Sequence, residues 1–280
     1  MKIHKAKKSL GQNFLKSEPA LKAIINAGEI KSDDVILEIG PGKGALTKKL
    51  LEHAGTVIAI EKDRELFALL QEKFAEEIKN KKLILIQEDI LEIKTQSLFE
   101  RTLGRSDGDG QRKFSTENFR GESKKTLRLY KIIANIPYNI TGAILKKFLT
   151  EENQPEKMVL MVQHEVAKRI VARDGSESIL SISVKAYGDP KIVMKVPARY
   201  FSPAPKVDSA IIAINNISRK NFNSTQEEEK FWEIVKTGFA HKRKKLSGNL
   251  KSLIKLTDEK WKNIRAEELK LSDWLELSKN

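Results

Sequence analysis

Short, β-branched apolar runs alternate with segments of helical length from residue 35 onward, and this alternation limits the fold of the 280-residue chain more than any other feature. Because each run is apolar along its whole length, it fits a strand buried on both faces. Such strands, separated by helices, are typical of a parallel sheet in an α/β fold. The predicted strands are VILEIG (35–40), TVIAIE (56–61), KLILIQ (82–87), KIIANI (131–136) and KMVLMV (157–162).

Two later apolar runs, KIVMKV (191–196) and SAIIAI (209–214), lie close together and are predicted to form an antiparallel pair at one edge of the sheet. Helices are predicted at 44–53 and 64–79. SEPALKAIINAG (17–28) predicts a further helix, with Ser17 as its cap and Gly28 as its stop.

The chain changes character beyond residue 215, where strand runs give way to helical periodicity. We therefore predict two domains, a sheet domain at 1–215 and a small helical domain at 216–280. Residues 95–127 are rich in Gly, Ser and charge and have weak periodicity. Long segments of this kind in compact domains are usually functional or disordered, so we predict a mobile, basic surface insertion.

The net charge of +14 indicates a polyanionic partner, most simply a nucleic acid. No stretch approaches the roughly 18 apolar residues of a membrane span. The basic start of the chain lacks the apolar segment of a secretory signal, and there is no cysteine to form disulfides or bind a metal. We expect a cytoplasmic protein, monomeric, without membrane contact and without a metal site.

A glycine-rich segment, EIGPGKGALT (38–47), follows the first predicted strand and opens a helix. Glycines allow a tight turn and let backbone N–H groups approach a ligand. Glu61 ends the next strand, where an acid can bind both hydroxyls of a ribose, as in Rossmann-like sites. The G-x-G-x-G spacing differs from the dinucleotide fingerprint. Glu38 could hold a cationic amino-acid group, which favours S-adenosylmethionine over NAD.

Asp89, in QEDI (87–90), ends the third predicted strand. A carboxylate at this position could accept a hydrogen bond from the adenine amine of a cofactor. Ligands of such sheets bind beyond the carboxyl ends of the strands, and the glycine segment, Glu61 and Asp89 all fall there.

The fourth predicted strand ends in ANIPYNIT (134–141). The amine of adenine is a poor nucleophile because its lone pair is delocalised into the ring. Two acceptors, Oδ1 of Asn135 and the carbonyl of Ile136, could draw its hydrogens and free that lone pair. Pro137 would stiffen the turn and Tyr138 could stack on the base, which must leave any duplex to react. Catalysis would then rest on alignment and electrostatics.

With these motifs in place, the chain resembles the KsgA/RsmA-like ribosomal RNA adenine dimethyltransferases along nearly its whole length. The matching segments are KKSLGQNFL (7–15), VILEIGPGKGALT (35–47), AIEKD (59–63), QEDIL (87–91), ANIPYNIT (134–141), VQHEVAKRIVA (162–172), RYFSPAPKVDSAI (199–211) and FAHKRKKLSGNL (239–250).

The resemblance implies a Rossmann-like class I methyltransferase sheet with a small C-terminal helical domain. It implies dimethylation of two adjacent adenosines near the 3′ end of 16S rRNA in the small ribosomal subunit, with S-adenosyl-L-methionine as cofactor. It also implies that Phe201 sandwiches the target adenine opposite Tyr138. The implied cofactor contacts are Asn13, Leu15, Gly40, Glu61, Asp89 and Asn135.

Two alternatives stay open. Erm-type methyltransferases, which modify large-subunit 23S rRNA, more often carry the NIPY found here, whereas the KsgA-like motif is more often NLPY. KSLGQNFL, PKVDSA and HKRKKL favour the small-subunit enzyme instead. The second alternative is a ribosome-assembly factor with little catalytic activity, against which the intact motifs argue.

The basic run HKRKKL (241–246) lies in the predicted helical tail. On a helix its charges would cover most of the circumference, so they could not all face one partner. We nevertheless predict phosphate contacts from Lys242, Arg243, Lys244 and Lys245, which would position an RNA without reading its sequence.

Overall fold

A computed structural model describes residues 6–7, 10–103, 113–114, 127–254, 256, 258–261 and 263–279. Its strands are β1 (Phe14–Leu15), β2 (Val35–Ile39), β3 (Thr56–Ile60), β4 (Leu83–Ile86), β5 (Lys113–Phe114), β6 (Leu127–Arg128), β7 (Lys131–Asn135), β8 (Lys157–Gln163), β9 (Asp189–Val196), β10 (Phe201–Ser202) and β11 (Ser209–Asn215).

Seven of these strands form the central sheet, in the order β4-β3-β2-β7-β8-β11-β9. The first five in this order are parallel, and β11 runs antiparallel to both β8 and β9. The predicted parallel α/β sheet and its antiparallel edge are therefore confirmed. The short strands pair separately, β1 with β10 and β5 with β6.

The helices are α1 (Glu18–Gly28), α2 (Ala45–His53), α3 (Arg64–Lys73), α4 (Ala75–Lys79), α5 (Thr95–Leu103), α6 (Thr141–Thr150), α7 (His164–Val171), α8 (Ile179–Lys185), α9 (Thr225–Gly238), α10 (Leu246–Leu250) and α11 (Leu271–Lys279). Short 3₁₀ turns lie at Tyr138–Ile140, Ala198–Tyr200, Glu259–Trp261 and Ala266–Glu268. The predicted segment 64–79 is thus two helices rather than one.

The sheet is buried on both faces, as its continuous apolar strands predict. Successive residues of a strand point to opposite faces. In β7, Ile132 and Ala134 belong to one hydrophobic cluster and Ile133 to the other. The second cluster includes Leu21 of α1 and Leu50 of α2, so these helices cover its side of the sheet.

The C-terminal helices share the hydrophobic cluster of the opposite face. Phe231 of α9 and Trp274 of α11 are fully buried in the same hydrophobic cluster as Phe148 of α6. The last strand ends at Asn215 and α9 begins at Thr225. The division into domains 1–215 and 216–280 stays a prediction, because the two parts share this cluster.

One local prediction is corrected. Residues 95–103, placed in the polar insertion, form α5, because its Leu98 and Phe99 are buried and the Phe99 ring lies 4.6 Å from that of Tyr130. Most of the remaining insertion lies outside the described residues. The predicted helix with Ser17 as its cap and Gly28 as its last residue is confirmed as α1, and the left-handed residue that follows it is Glu29 (φ 45°). A Cβ on Gly28 would lie 2.6 Å from Cδ1 of Ile133, so this glycine allows close packing on β7.

Across the described part of the chain, no helix is both long enough and apolar enough to cross a membrane.

Candidate active site

The glycine-rich loop connects β2 to α2 at the carboxyl end of the sheet. Gly40, Gly42 and Gly44 have φ between 60° and 74°, a left-handed conformation that glycine adopts without steric cost. The N–H of Gly40 donates to the carbonyl of Ile60 at 2.9 Å. A Cβ on Gly42 would lie 3.0 Å from the ring of Phe14. The loop therefore needs glycine both for its turn and for the close approach of the N-terminal segment.

Glu61 follows β3 and fastens this loop. Its Oε2 accepts from the N–H of Gly42 at 3.1 Å, and its Oε1 accepts from the N–H of Asp63 at 2.8 Å. The residue is 6% exposed, and burial raises the pKa of its carboxyl against the effect of these two hydrogen bonds. Each oxygen keeps acceptor capacity that can serve a ligand hydroxyl.

Asp89 lies beyond β4, where it is partly covered. Its Oδ2 lies 2.7 Å from Nζ of Lys62, and its Oδ1 accepts from the N–H of Leu91 at 3.0 Å. Partial burial opposes ionisation of Asp89, but the Lys62 ammonium and the Leu91 N–H outweigh it and lower the pKa. Asp89 is therefore an ionised acceptor at neutral pH.

Glu38 is the most deeply buried acid of the site. It is 1% exposed and lies within β2, and its Oε2 has no hydrogen-bond partner among the described residues. Burial, with a smaller effect from nearby Glu61, raises the pKa of Glu38 to about 8. A buried carboxyl oxygen without a partner is costly unless a ligand pairs with it.

Asn135 is the last residue of β7, so its side chain lies at the same end of the sheet. Its Nδ2 donates to the carbonyl of Asn13 at 3.1 Å. Its Oδ1 accepts no hydrogen bond from the described part of the chain. The amide is therefore oriented with its donor on the N-terminal segment and its acceptor unused.

The N-terminal segment is held in turn by Asp63, two residues beyond Glu61. Nε2 of Gln12 donates to Oδ2 of Asp63 at 2.8 Å, and Nζ of Lys7 lies 3.0 Å from Oδ1 of Asp63. Asp63 is the residue whose N–H binds Glu61. A chain of hydrogen bonds through this segment thus links Glu61 to Asn135.

The turn after Asn135 presents the remaining motif residues. Pro137 has φ −59° and ψ 133°, and a 3₁₀ turn begins at Tyr138. The Tyr138 hydroxyl lies 2.5 Å from Oγ of Ser209. The Ile136 side chain is buried in the core, which leaves its backbone as the part that can meet a ligand.

These groups surround one cavity of about 670 Å³, within the usual range for a small-molecule site. The structure thereby brings together the catalytic and cofactor-binding residues predicted from the sequence, except Phe201. Those lining the cavity are Asn13, Leu15, Gly40, Glu61, Asp89, Asn135, Ile136, Pro137 and Tyr138, with Glu38 beside them.

Phe201 is placed differently from the prediction. Its ring is 2% exposed and packs in the hydrophobic cluster beneath the N-terminal segment, because Leu15 of β1 pairs with Phe201 of β10. The neighbouring Ser202 lines the cavity instead. The Phe201 ring is therefore not exposed to the cavity, and its sandwich of an adenine with Tyr138 stays a prediction.

The basic run also differs from the prediction. Residues 241–245 form an exposed turn between α9 and α10, not a helix. The N–H of Lys244 donates to the carbonyl of His241, and Nζ of Lys245 donates to Oδ1 of Asn263. On a helix these charges would be spread around the circumference. In a turn they are not, so more of them can face one partner. None of these residues lines the cavity.

Sequence reasoning missed three contributors to the site. Phe14 lines the cavity, and Nζ of Lys43 lies 4.8 Å from the centroid of its ring. Lys62 pairs with Asp89, and Ser209 binds Tyr138. Phe14 and Lys62 adjoin predicted site residues in the chain, which is a usable signal. Ser209 is 71 residues from Tyr138, and no local pattern joins them.

A larger groove, of about 2,030 Å³, lies beside α6, α8 and α9, and Lys242 is the one predicted site residue on it. Three of its polar residues bind one another: Tyr187 donates to Glu228, and Nε of Arg219 lies 3.1 Å from Oε2 of Glu228. The three acids and the unused Asn135 acceptor lie at the smaller cavity, which is therefore the candidate active site.

The sheet is Rossmann-like and mostly parallel, and its glycine loop, its acids and the Asn-Ile-Pro-Tyr turn share one cavity. These features define a class I methyltransferase. The family described as ribosomal RNA adenine dimethylase matches residues 3–278. The chain belongs to this family, and it is an enzyme of the adenine dimethyltransferase type.

Curated relatives agree with this family. The "Ribosomal RNA small subunit methyltransferase A" of Dehalococcoides mccartyi (strain CBDB1) is 40% identical over 242 residues, covering 86% of this chain and 73% of the relative. The protein of the same name from Nostoc sp. (strain PCC 7120) is 35% identical, covering 97% of this chain and 96% of its own.

Two crystal structures show the same fold. The 23S rRNA methyltransferase ErmE has a TM-score of 0.71 at 22% identity, covering 95% of this chain and 98% of its own. A dimethyladenosine transferase from Plasmodium falciparum also has a TM-score of 0.71, at 24% identity, covering 94% and 95%.

Proposed function

We propose that the protein uses S-adenosylmethionine to dimethylate two adjacent adenosines near the 3′ end of 16S rRNA in the small ribosomal subunit. The observation that carries this proposal is the cavity shared by three acids and the Asn135 amide, whose Oδ1 is unused. The acids suit the three polar parts of the cofactor, and the amide suits an adenine amine.

The residues present fit the cofactor. The unpaired Oε2 of Glu38 is a buried acceptor that an amino-acid ammonium would satisfy. Glu61 would bind the ribose hydroxyls, and Asp89 the adenine amine. Asn13, Leu15 and Gly40 would contact it from the N-terminal segment and the glycine loop. Bound S-adenosylmethionine supplies an electrophilic methyl group on its sulfonium.

The protein's part in the reaction is to prepare the target amine. Oδ1 of Asn135 and the carbonyl of Ile136 accept hydrogen bonds from the two N–H groups of this amine. These bonds localise the nitrogen lone pair toward the methyl donor. Pro137 holds the turn, and the Tyr138 ring stacks on the base. These preorganised acceptors act without a covalent intermediate on the protein, so rate enhancement comes from alignment and electrostatics.

The relatives' names favour the small subunit over the large one. Those 35% and 40% identical are both named for the small subunit. The fold does not discriminate, since ErmE and the Plasmodium enzyme have the same TM-score.

The direct test is methyl transfer from labelled S-adenosylmethionine to unmethylated small subunits and, separately, to large-subunit rRNA. We expect dimethyladenosine in small-subunit rRNA alone. Label in large-subunit rRNA would assign the protein to the Erm-type activity. Cofactor binding without label in either substrate would favour an assembly factor with little catalytic activity.

Glu38 makes cofactor binding dependent on pH. Because its pKa is about 8 without ligand, Glu38 is mostly protonated at pH 7 and must lose its proton to pair with an ammonium. We expect binding at pH 7 to release close to one proton, and affinity to rise from pH 6 and level off only above pH 8. Calorimetry in two buffers of different ionisation enthalpy measures this release.

The matched variant for this prediction is Glu38→Gln, which keeps the shape but cannot titrate. It should bind more weakly at pH 8 and release no proton. Burial also raises the pKa of Glu61. If Glu38→Gln released as many protons as the unaltered protein, Glu61 would be the group that titrates, which would contradict the role of Glu38.

We further propose that the helical segment 216–280 binds rRNA through the basic turn, with Lys242, Arg243, Lys244 and Lys245 on phosphates. All four are exposed. Replacing Lys242, Arg243 and Lys244 together by Gln should weaken rRNA binding and reduce its salt dependence by about one unit of slope for each phosphate that is no longer neutralised. Filter binding across a salt series measures the slope.

The control is a triple Gln variant at Lys79, Lys81 and Lys82, which removes the same charge. These exposed lysines precede β4, at the opposite end of the sheet from the cavity. Equal effects of the two variants would show a general charge effect and contradict a specific role for the basic turn.

A further inference from the structure

One hydrogen bond joins the 3₁₀ turn at Tyr138–Ile140 to β11, which is far away in the sequence. The hydroxyl of Tyr138, which lines the cavity, lies 2.5 Å from Oγ of Ser209. Tyr138 opens a 3₁₀ turn, and Ser209 is the first residue of β11. Ser209 is 0% exposed, so its hydroxyl is withheld from water and depends on a protein partner.

Ser209 is itself held on both sides. In the sheet it pairs with Gln163 of β8 and with Val196 of β9. Its position is therefore set by three adjacent strands, which are among the most rigid parts of such a fold.

The preceding residue, Asp208, is equally restrained. Its carbonyl accepts from the N–H of His164 at 2.9 Å, its Oδ1 accepts from the N–H of Ala198 at 3.0 Å, and its Oδ2 lies 2.9 Å from Nζ of Lys195. The Ser209 hydroxyl is thus a fixed point against which a mobile group can be oriented.

Tyr138 is such a group. A tyrosine side chain has two rotatable angles, and a 3₁₀ turn has weaker backbone hydrogen bonding than an α-helix. Anchoring the hydroxyl fixes the direction of the ring axis and so the position of the ring, which an aromatic that stacks on a base requires. A phenylalanine would provide the same stacking face without this anchor.

From this geometry we infer that Ser209 is a positioning residue for methyl transfer, which holds the Tyr138 ring in the orientation that aligns the target adenine. The inference rests on the proposed function. It assigns Ser209 no contact with the base or the cofactor. Its effect reaches the reaction only through the Tyr138 hydroxyl.

The test is a double-mutant cycle of Ser209→Ala and Tyr138→Phe, assayed on unmethylated small subunits with purified full-length protein. Each variant removes one side of the same hydrogen bond. We expect each to lower kcat by about threefold to tenfold, the range for one neutral hydrogen bond. The double variant should lose no more than either single one, because the two residues act as a unit.

Three further measurements separate positioning from a general loss of structure. The affinity for S-adenosylmethionine should be unchanged in both variants. Ser209→Thr, which keeps the hydroxyl, should restore most of kcat. Ser183→Ala, a serine on α8 that donates to the carbonyl of Leu180, should leave kcat unaltered.

The possible results are distinct. A wild-type kcat in Ser209→Ala, or losses that multiply in the double variant, would overturn the inference. If Ser209→Ala does not fold, Tyr138→Phe decides alone, and a wild-type kcat there overturns it. If the unaltered protein itself transfers no methyl group to small subunits, the proposed function fails and the inference fails with it.

Discussion

Replacing Asn135 by alanine is expected to reduce methyl transfer at least about 100-fold, since removing one preorganised polar group from a transition state costs about 10² to 10³ in kcat. Only the donor side of this amide is hydrogen-bonded, from Nδ2 to the carbonyl of Asn13. The alanine variant therefore loses the unused acceptor together with its means of orientation. Single-turnover transfer to small subunits measures the chemical step directly.

Binding of rRNA should survive this substitution. The basic turn at 241–245 makes no hydrogen bond to the Asn135 side chain among the described residues, so rRNA affinity should stay close to that of the unaltered protein. Asn80→Ala, at an exposed asparagine after α4, is the matched control and should transfer at the normal rate. A failure of Asn135→Ala to bind rRNA would contradict the catalytic role assigned to the amide.

The edge at which the site is assembled was predictable because it depends on local pattern. The strands of the sheet are continuous apolar runs, and in parallel strands the carboxyl ends meet at one edge. Glu61 directly follows β3 and Asn135 ends β7, so their types and positions were sufficient to place them together. Asp89 lies within three residues of the end of β4 and follows the same rule.

What could not be predicted depends on contacts between distant parts of the chain. Phe201 is enclosed because β10 pairs with β1, some 186 residues earlier, and a phenylalanine before Ser-Pro carries no local sign of that partner. The bond between Tyr138 and Ser209 is hidden for the same reason. Both features involve strands or turns of two or three residues, which are too short to produce a hydrophobic period.

The basic run is a different case, because a local signal existed. Consecutive cations place like charges at i,i+3 and i,i+4, where they destabilise a helix. The run from His241 to Lys245 forms a turn accordingly, and helix resumes at Leu246, which is fully buried. Leu98 and Phe99 likewise signalled a buried helical face within the segment interpreted as a polar insertion.

Replacing Glu61 by alanine should weaken S-adenosylmethionine binding by about 10- to 150-fold, corresponding to about 1.5–3 kcal/mol for hydrogen bonds to a charged group. The carboxylate makes two backbone hydrogen bonds, from Gly42 and Asp63, and would add the ribose hydroxyls of the cofactor. Glu61→Gln should rescue little, because its amide nitrogen must face one of two N–H donors. Calorimetry gives the affinities, and thermal unfolding shows whether the variants fold.

Part of this loss would come from the loosened glycine loop rather than from the ligand contact, and a modified ligand separates the two. S-adenosylhomocysteine lacking the ribose 2′-hydroxyl should bind the unaltered protein about tenfold more weakly than the parent compound, if Glu61 accepts from that hydroxyl. In Glu61→Ala the two compounds should bind equally, because the acceptor is gone. Glu72→Ala, at an exposed position on α3, should keep the full discrimination. Discrimination that persists in Glu61→Ala would place the ribose elsewhere and reduce Glu61 to a support of the loop.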